Sequence, residues 1–191
     1  MERGSWDNEK DLLQKVQEGN RAAMRQLYDC FAGYAMAVCS RYIPDKEAVR
    51  DVVQDSFIKI FTTIGHFHYQ GEGSLHAWIR RVVANTAISY LNKKELKAEY
   101  PVDILSDKTY EETESSIIDK ISPELLTEMI AKLPMTYRFV LNLHVFEGFS
   151  HQEIARQLGI KENSSCSRFF RAKKMLAAMI MDYLKKNDDE G

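Results

Sequence analysis

No run of apolar residues in this 191-residue chain approaches the length needed to cross a bilayer, and the opening residues, MERGSWDNEK, form no apolar signal segment. A soluble, cytoplasmic protein without stable membrane insertion is expected. Cysteine is also scarce. Cys30, Cys39 and Cys166 are odd in number and have no C-x-x-C spacing, which argues against a disulfide framework and a zinc finger. Reduced thiols are expected, with Cys30 and Cys39 buried. His66, His68 and His76 surround one loop, but no cysteine or carboxylate joins them at a recognised metal-binding spacing, so neither a metal nor another cofactor is expected. What the chain does have is apolar residues, 45% of the total, enough for real cores at a length that suits two small domains or one larger one.

The most specific pattern is FSHQEIARQLGIKENSSCSRFFRAKKML, from Phe149 to Leu176. Ser150 and Glu153 have the spacing of a capping box, and Phe149 and Ile154 occupy the positions of a hydrophobic staple, so a helix is expected to begin at His151. Ile154, Ala155 and Leu158 form its buried face. Gly159 supplies the left-handed residue that stops it, and a second helix is expected to start near Asn163 or Ser164. On that second helix Phe169, Ala172, Leu176, Met179 or Ile180, and Tyr183 recur at helical spacing and point inward. Ser164, Ser167, Arg168, Arg171 and Lys174 are left outside, offering the hydroxyl and cationic donors that a helix needs in a DNA major groove. An ordinary helical hairpin with a solvated charged face is the plain alternative, but the combination of box, staple, glycine turn and basic face is more specific.

A net charge of -2 looks unsuited to DNA until it is mapped along the chain. Lys161, Arg168, Arg171, Lys173, Lys174, Lys185 and Lys186 against Glu162 and Asp182 make the last segment +5. Arg80, Arg81, Lys93, Lys94 and Lys97 against Glu95 make a second basic stretch of +4. Between them, residues 98–128 sum to -7. Local fields, not the total, steer a polyanion. The acidic stretch lacks apolar periodicity and reads as a linker over 96–122.

The remaining segments read as helices. Leu12, Leu13 and Val16 mark a short one closed by Gly19. Asn20 caps a longer one through Met24, Leu27, Phe31, Tyr34, Val38 and Tyr42. Pro44 and Asp45 open a third, with Val49, Val52, Val53, Phe57, Ile60, Phe61 and Ile64 inside and Arg50, Asp51, Gln54, Asp55 and Lys59 outside, ended by Gly65. After the aromatic, glycine-rich loop HFHYQGEGS, a fourth runs from Leu75 towards Lys94 and sets Trp78 beside Arg80, Arg81 and Asn85, rings and cations that suit single-stranded nucleic acid. Ser122 and Pro123 start a helix through Leu133 that Pro134 ends, and another through Phe139, Val140, Leu143 and Phe146 stops at Gly148. The fold class is all-α: two small helical domains, 7–95 and 123–186, joined by the acidic linker, the second containing the helix-turn-helix.

The order DVVQDSFIKIF, GSLHAWIRRVVANTAISYLNKK, acidic linker, LPMTYRFVLNLHVFEGFSHQEIARQLGI and SRFFRAKKML resembles the extracytoplasmic-function sigma factors of bacterial RNA polymerase, over about Asp7 to Lys186. The resemblance implies that the first domain binds the clamp coiled coil of the polymerase core and opens the minus-ten element. The second would read the minus-thirty-five element of promoter DNA and touch the polymerase flap. Asp51, Gln54 and Asp55 match the motif that meets the clamp. The loop from His66 to Ser74, with His68 and Tyr69, matches the one that holds an extruded minus-ten base, and Trp78, Arg80, Arg81 and Asn85 match the helix lining the melted strand. Ser167, Arg168, Phe170 and Arg171 match groove-facing positions, with Phe170 outside the buried stripe and able to meet a thymine methyl. Ser165 and Cys166 depart from the family pattern, which leaves the bases they face open. The resemblance also implies a separate anti-sigma factor, because only the short tail NDDEG follows the last helix.

Two other classes stay in view. A stand-alone helix-turn-helix repressor or activator would bind duplex DNA by itself, usually as a symmetric dimer. The chain offers no heptad or other evident dimerisation helix, and a monomer is expected when free. A nucleic-acid enzyme would need a nucleophile or metal-binding carboxylates, and the clustered acids here fall in the linker.

Overall fold

In the computed structural model, which describes residues 9–95 and 121–188, every regular element is helical. The helices are α1 (Glu9–Gln17), α2 (Arg21–Tyr42), α3 (Lys46–Thr63), α4 (Ser74–Glu95), α5 (Pro123–Lys132), α6 (Met135–Leu141), α7 (His151–Leu158) and α8 (Glu162–Asp188). They form two compact units. One holds the chain through Cys39 and Asp45–Tyr90, and the other holds Ser40–Pro44 and the chain from Leu91.

Local chemistry sets the boundaries in the first unit. Gly19 turns with φ 79°, and the Asn20 side-chain oxygen accepts from the amides of Ala22 and Ala23 at 3.0 and 3.1 Å, satisfying donors that the first turn of α2 leaves unpaired. Asp45 does the same for α3 through the Glu47 amide. The core then follows the apolar stripes. Leu13 and Val16 of α1, Leu27 and Phe31 of α2, Val52 and Ile60 of α3, and Leu75, Ile79 and Val83 of α4 are all buried. Gly65 does not end α3. The helix stops at Thr63 and tightens into a 3-10 turn, Ile64–His66, where Gly65 keeps an ordinary negative φ. Cys30 is exposed, contrary to expectation. It lies about 100° round α2 from Phe31, off the stripe that carries Leu27, Phe31 and Val38.

In the second unit Ser122 caps α5 by accepting from the Leu125 amide at 3.2 Å, with Pro123 in the first turn. The expected linker lies outside the described residues through position 120, and Ile121 is buried beside Met129 and Ile180. α6 does not run on as a plain α-helix. Asn142–Phe146 is one π turn, in which the Glu147 amide donates to the Asn142 carbonyl at 3.1 Å; Gly148 then turns at φ 70°, and beyond it the Phe149 amide reaches back to the Leu143 carbonyl at 2.9 Å. Ile130, Leu133, Leu141 and Ala172 form a core on which Phe169, Leu176 and Met179 pack. Tyr183 does not join the inward stripe and is 38% exposed. The packed positions of α8 run at a spacing of four, through Ala172, Leu176, Ile180 and Leu184, which turns residue 183 towards solvent.

Candidate nucleic-acid interfaces

The helix-turn-helix has the expected local geometry. Ser150 Oγ accepts from the Glu153 amide at 3.2 Å, and Glu153 Oε2 accepts from the Ser150 amide at 2.8 Å, closing the capping box. Both staple residues, Phe149 and Ile154, are buried. Gly159 is left-handed at φ 66°, and the Ile160 amide reaches back to the Ala155 carbonyl at 3.0 Å. Leu158 is only half-buried, and α8 starts at Glu162, one residue earlier than expected.

Ser167, Phe170 and Arg171 are exposed on α8, while Ser164, Arg168 and Lys174 are half-buried. Phe170 is 56% exposed, and the Lys174 ammonium sits 4.9 Å from its ring centroid, so a flat apolar surface and a cation share one patch. Ser165 faces no base. It is fully buried, and its hydroxyl lies 2.9 Å from His151 Nδ1, a polar link between α8 and α7. Cys166 is exposed.

His151 also stacks on His144, with centroids 4.3 Å apart and planes at 17°, and Phe169 meets His144 edge-on at 4.7 Å. His144 Nδ1 lies 2.9 Å from the Phe149 carbonyl and, as the only possible donor of the two, donates a hydrogen bond to it. Burial first, and then the neighbouring His144, hold the His151 pKa below its usual 6.5 against the opposing pull of Glu162. His76, in contact with the rings of Phe31 and Tyr34, is lowered by burial and then by Arg80, with Glu9 opposing. In each case the unfolded chain takes up the proton before the folded one. Stability is therefore full above about pH 6.5 and is lost as pH falls through that value towards the lowered folded pKa. The melting temperature is expected to drop on that descent, and less so for His151→Gln. A melting temperature that rises on acidification contradicts the assignment.

In the first unit the loop from Phe67 to Gly73 joins the 3-10 turn to α4. Gly71 and Gly73 adopt φ 114° and 80°, conformations that side chains resist. Phe67 packs on Trp78 with centroids 5.1 Å apart. Trp78, Arg81 and Asn85 follow at spacings of three and four on one side of α4, where Arg81 and Asn85 are exposed and Trp78 is half-buried. Arg80 is half-buried and its charge reaches His76. His68 is exposed. Tyr69 is half-exposed and its phenol is pushed above its usual pKa, first by burial and then by the negative charge of Glu9.

Two residues of α1 that the sequence left unremarked bear on this loop. Glu9, 6% exposed, accepts from the Gly73 amide at 2.8 Å and from the Leu75 amide at 3.0 Å. Gln17 Nε2 donates to the carbonyls of Ile64 and Phe67, each at 2.9 Å. No sequence signal points to either, because each contact spans 47 to 66 residues.

On α3, Asp51, Gln54 and Asp55 are all exposed, on the side opposite the buried valines. Ile58 completes the same strip at 62% exposure, an apolar residue that the sequence pattern alone did not flag as available. None of the described helices is long and apolar enough to cross a membrane.

Residues 27–96 match the family model for Sigma-70 region 2, and residues 124–176 match that for Sigma-70, region 4. The chain is 25% identical to the RNA polymerase sigma-H factor of Pseudomonas aeruginosa over 190 residues, covering 94% of this chain and 97% of that one. It is 26% identical to the ECF RNA polymerase sigma-E factor of Haemophilus influenzae over 175 residues, covering 86% and 91% of the two chains. Among solved structures, CnrH in complex with the cytosolic domain of CnrY shares its fold with a TM-score of 0.51 at 22% identity, over 90% of this chain and 96% of that one. With both sigma-70 regions present in order on two helical units, the chain belongs to the sigma-70 family, among the extracytoplasmic-function sigma factors that direct RNA polymerase core to promoters.

Proposed function

We propose that α8 reads the minus-thirty-five element through Ser164, Ser167, Arg168, Phe170, Arg171 and Lys174. The observation carrying this is the exposed run of Ser167, Phe170 and Arg171 on the helix that follows α7, which is capped at both ends by Ser150 and Gly159. Arg171 supplies a forked donor for a base edge, Phe170 a face for a thymine methyl, and Lys174 a point charge for phosphate. The loop from His66 to Ser74, with His68 and Tyr69, holds an extruded minus-ten base, and Trp78, Arg80, Arg81 and Asn85 line the melted strand. Asp51, Gln54 and Asp55, with Ile58 beside them, dock on the clamp coiled coil, and the second domain touches the flap. The domains are 7–95 and 123–186 with a linker between them. The chain works in the cytoplasm as a monomer until it meets core, does no catalysis of its own, and is held between uses by a separate anti-sigma factor. CnrH, solved with the cytosolic domain of CnrY, supports that last point by analogy.

Gel shift on a cognate promoter, with and without core polymerase, tests the reading. Tight binding is expected only with core, and tight, specific binding by the free chain favours the stand-alone repressor. Arg171→Ala is expected to cost about 1–3 kcal/mol at one promoter position, whereas Lys174→Ala weakens all sequences evenly. Unchanged initiation by Arg171→Ala removes that residue from base reading.

A further inference from the structure

We infer that α1 is the brace that holds the minus-ten loop in its base-binding shape, with Glu9 and Gln17 as positioning residues, a role that rests on the loop function proposed above. The loop cannot fix itself. Gly71 and Gly73 at positive φ give it freedom, and its internal bonds are few: the Ser74 amide to the Gly71 carbonyl at 3.1 Å and the Gln70 amide to Ser74 Oγ at 3.2 Å. The Ala77 amide bonds to the Gly73 carbonyl, which puts Gly73, a residue without a side chain, where α4 needs a cap. Glu9 supplies that cap from another helix. Its two carboxylate oxygens take the Gly73 and Leu75 amides in a buried setting, where a negative charge at a helix N-terminus is favoured and a charge-assisted bond is strong.

Gln17, two turns further along α1, holds the opposite end of the loop through the Ile64 and Phe67 carbonyls. Phe67 in turn packs on Trp78. One short helix thus fixes both ends of a segment that would otherwise lose much conformational freedom on closing around a base. A loop ordered before binding does not pay that entropy when the base arrives.

The test uses holoenzyme assembled from full-length variants and core, on fork DNA that presents a single-stranded minus-ten segment of a promoter selected by the wild type. Each protein is measured with the preferred base at the extruded position and with that base substituted. Glu9→Ala and Gln17→Ala are each expected to weaken binding of the preferred strand roughly tenfold and to bring its preference over the substituted strand close to one, with core capture and minus-thirty-five duplex binding unchanged. A purely structural role would lower both strands by the same factor or leave the preference intact, and either result overturns the brace. If Glu9→Ala does not fold, the surface-exposed Gln17→Ala decides the matter alone. Wild-type holoenzyme that shows no preference between the two strands instead removes the base-holding role of the loop, and the brace with it.

Discussion

Asp55→Arg combined with Gln54→Ala is expected to abolish capture of core polymerase while the chain stays folded. Both residues are exposed on α3, opposite buried Val52, Val53 and Phe57, so the substitutions disturb no packing. If the strip meets a basic partner, reversing the charge leaves like charges facing each other at an interface, and losing a buried pair of that kind costs about 2–5 kcal/mol. Ile58, 62% exposed on the same strip, gives the contact an apolar centre that water would otherwise cover. Circular dichroism and melting should match wild type. A double variant that still co-purifies with core and supports initiation removes the clamp role from this strip.

Ile154→Ala is expected to have a comparably large effect of a different kind. Ile154 is fully buried on α7, and truncating such a side chain costs about 2–5 kcal/mol through lost burial and the cavity left behind. The loss falls on the second unit, because the first has its own core of α1 to α4. Melting followed by hydrogen exchange should show amides of α5 to α8 losing protection before those of α1 to α4, and minus-thirty-five binding failing while core capture persists. Loss of protection in both units together would mean that they do not fold as separate domains.

What could be read from the sequence was what depends on near neighbours. Asn20, Asp45, Ser122 and Ser150 each cap a helix a few residues away, and Gly159 stops one, so those boundaries fell close to expectation. The outer strip of α3 and the basic side of α8 follow from periodicity alone. What escaped depends on distance along the chain or on one extra residue. Glu9 looks like any acid in a first helical turn until α4 comes back beside it. Ser165 stood out only as a departure from the family pattern facing an unidentified base, but its hydroxyl is used by His151 fourteen residues earlier. Cys30 was misplaced because burial was expected from its residue type and not from its place on α2, and Tyr183 because it lies at the edge of a stripe whose packed positions on α8 run at a spacing of four.

The π turn at Asn142–Phe146 makes the length of this stretch critical. Such a turn accommodates one residue more than an α turn would, so removing a single residue there could restore an unbroken helix and even improve its backbone bonding. The cost would appear downstream. Each residue advances the helix by about 100°, so the deletion would swing everything from Phe149 onward, with α7 and α8, round the axis of α6 and off the core that α5 and α6 share with α8. Length variants in this segment are therefore expected to fail in promoter reading while gaining helicity, whereas a one-residue change in a surface loop would be absorbed.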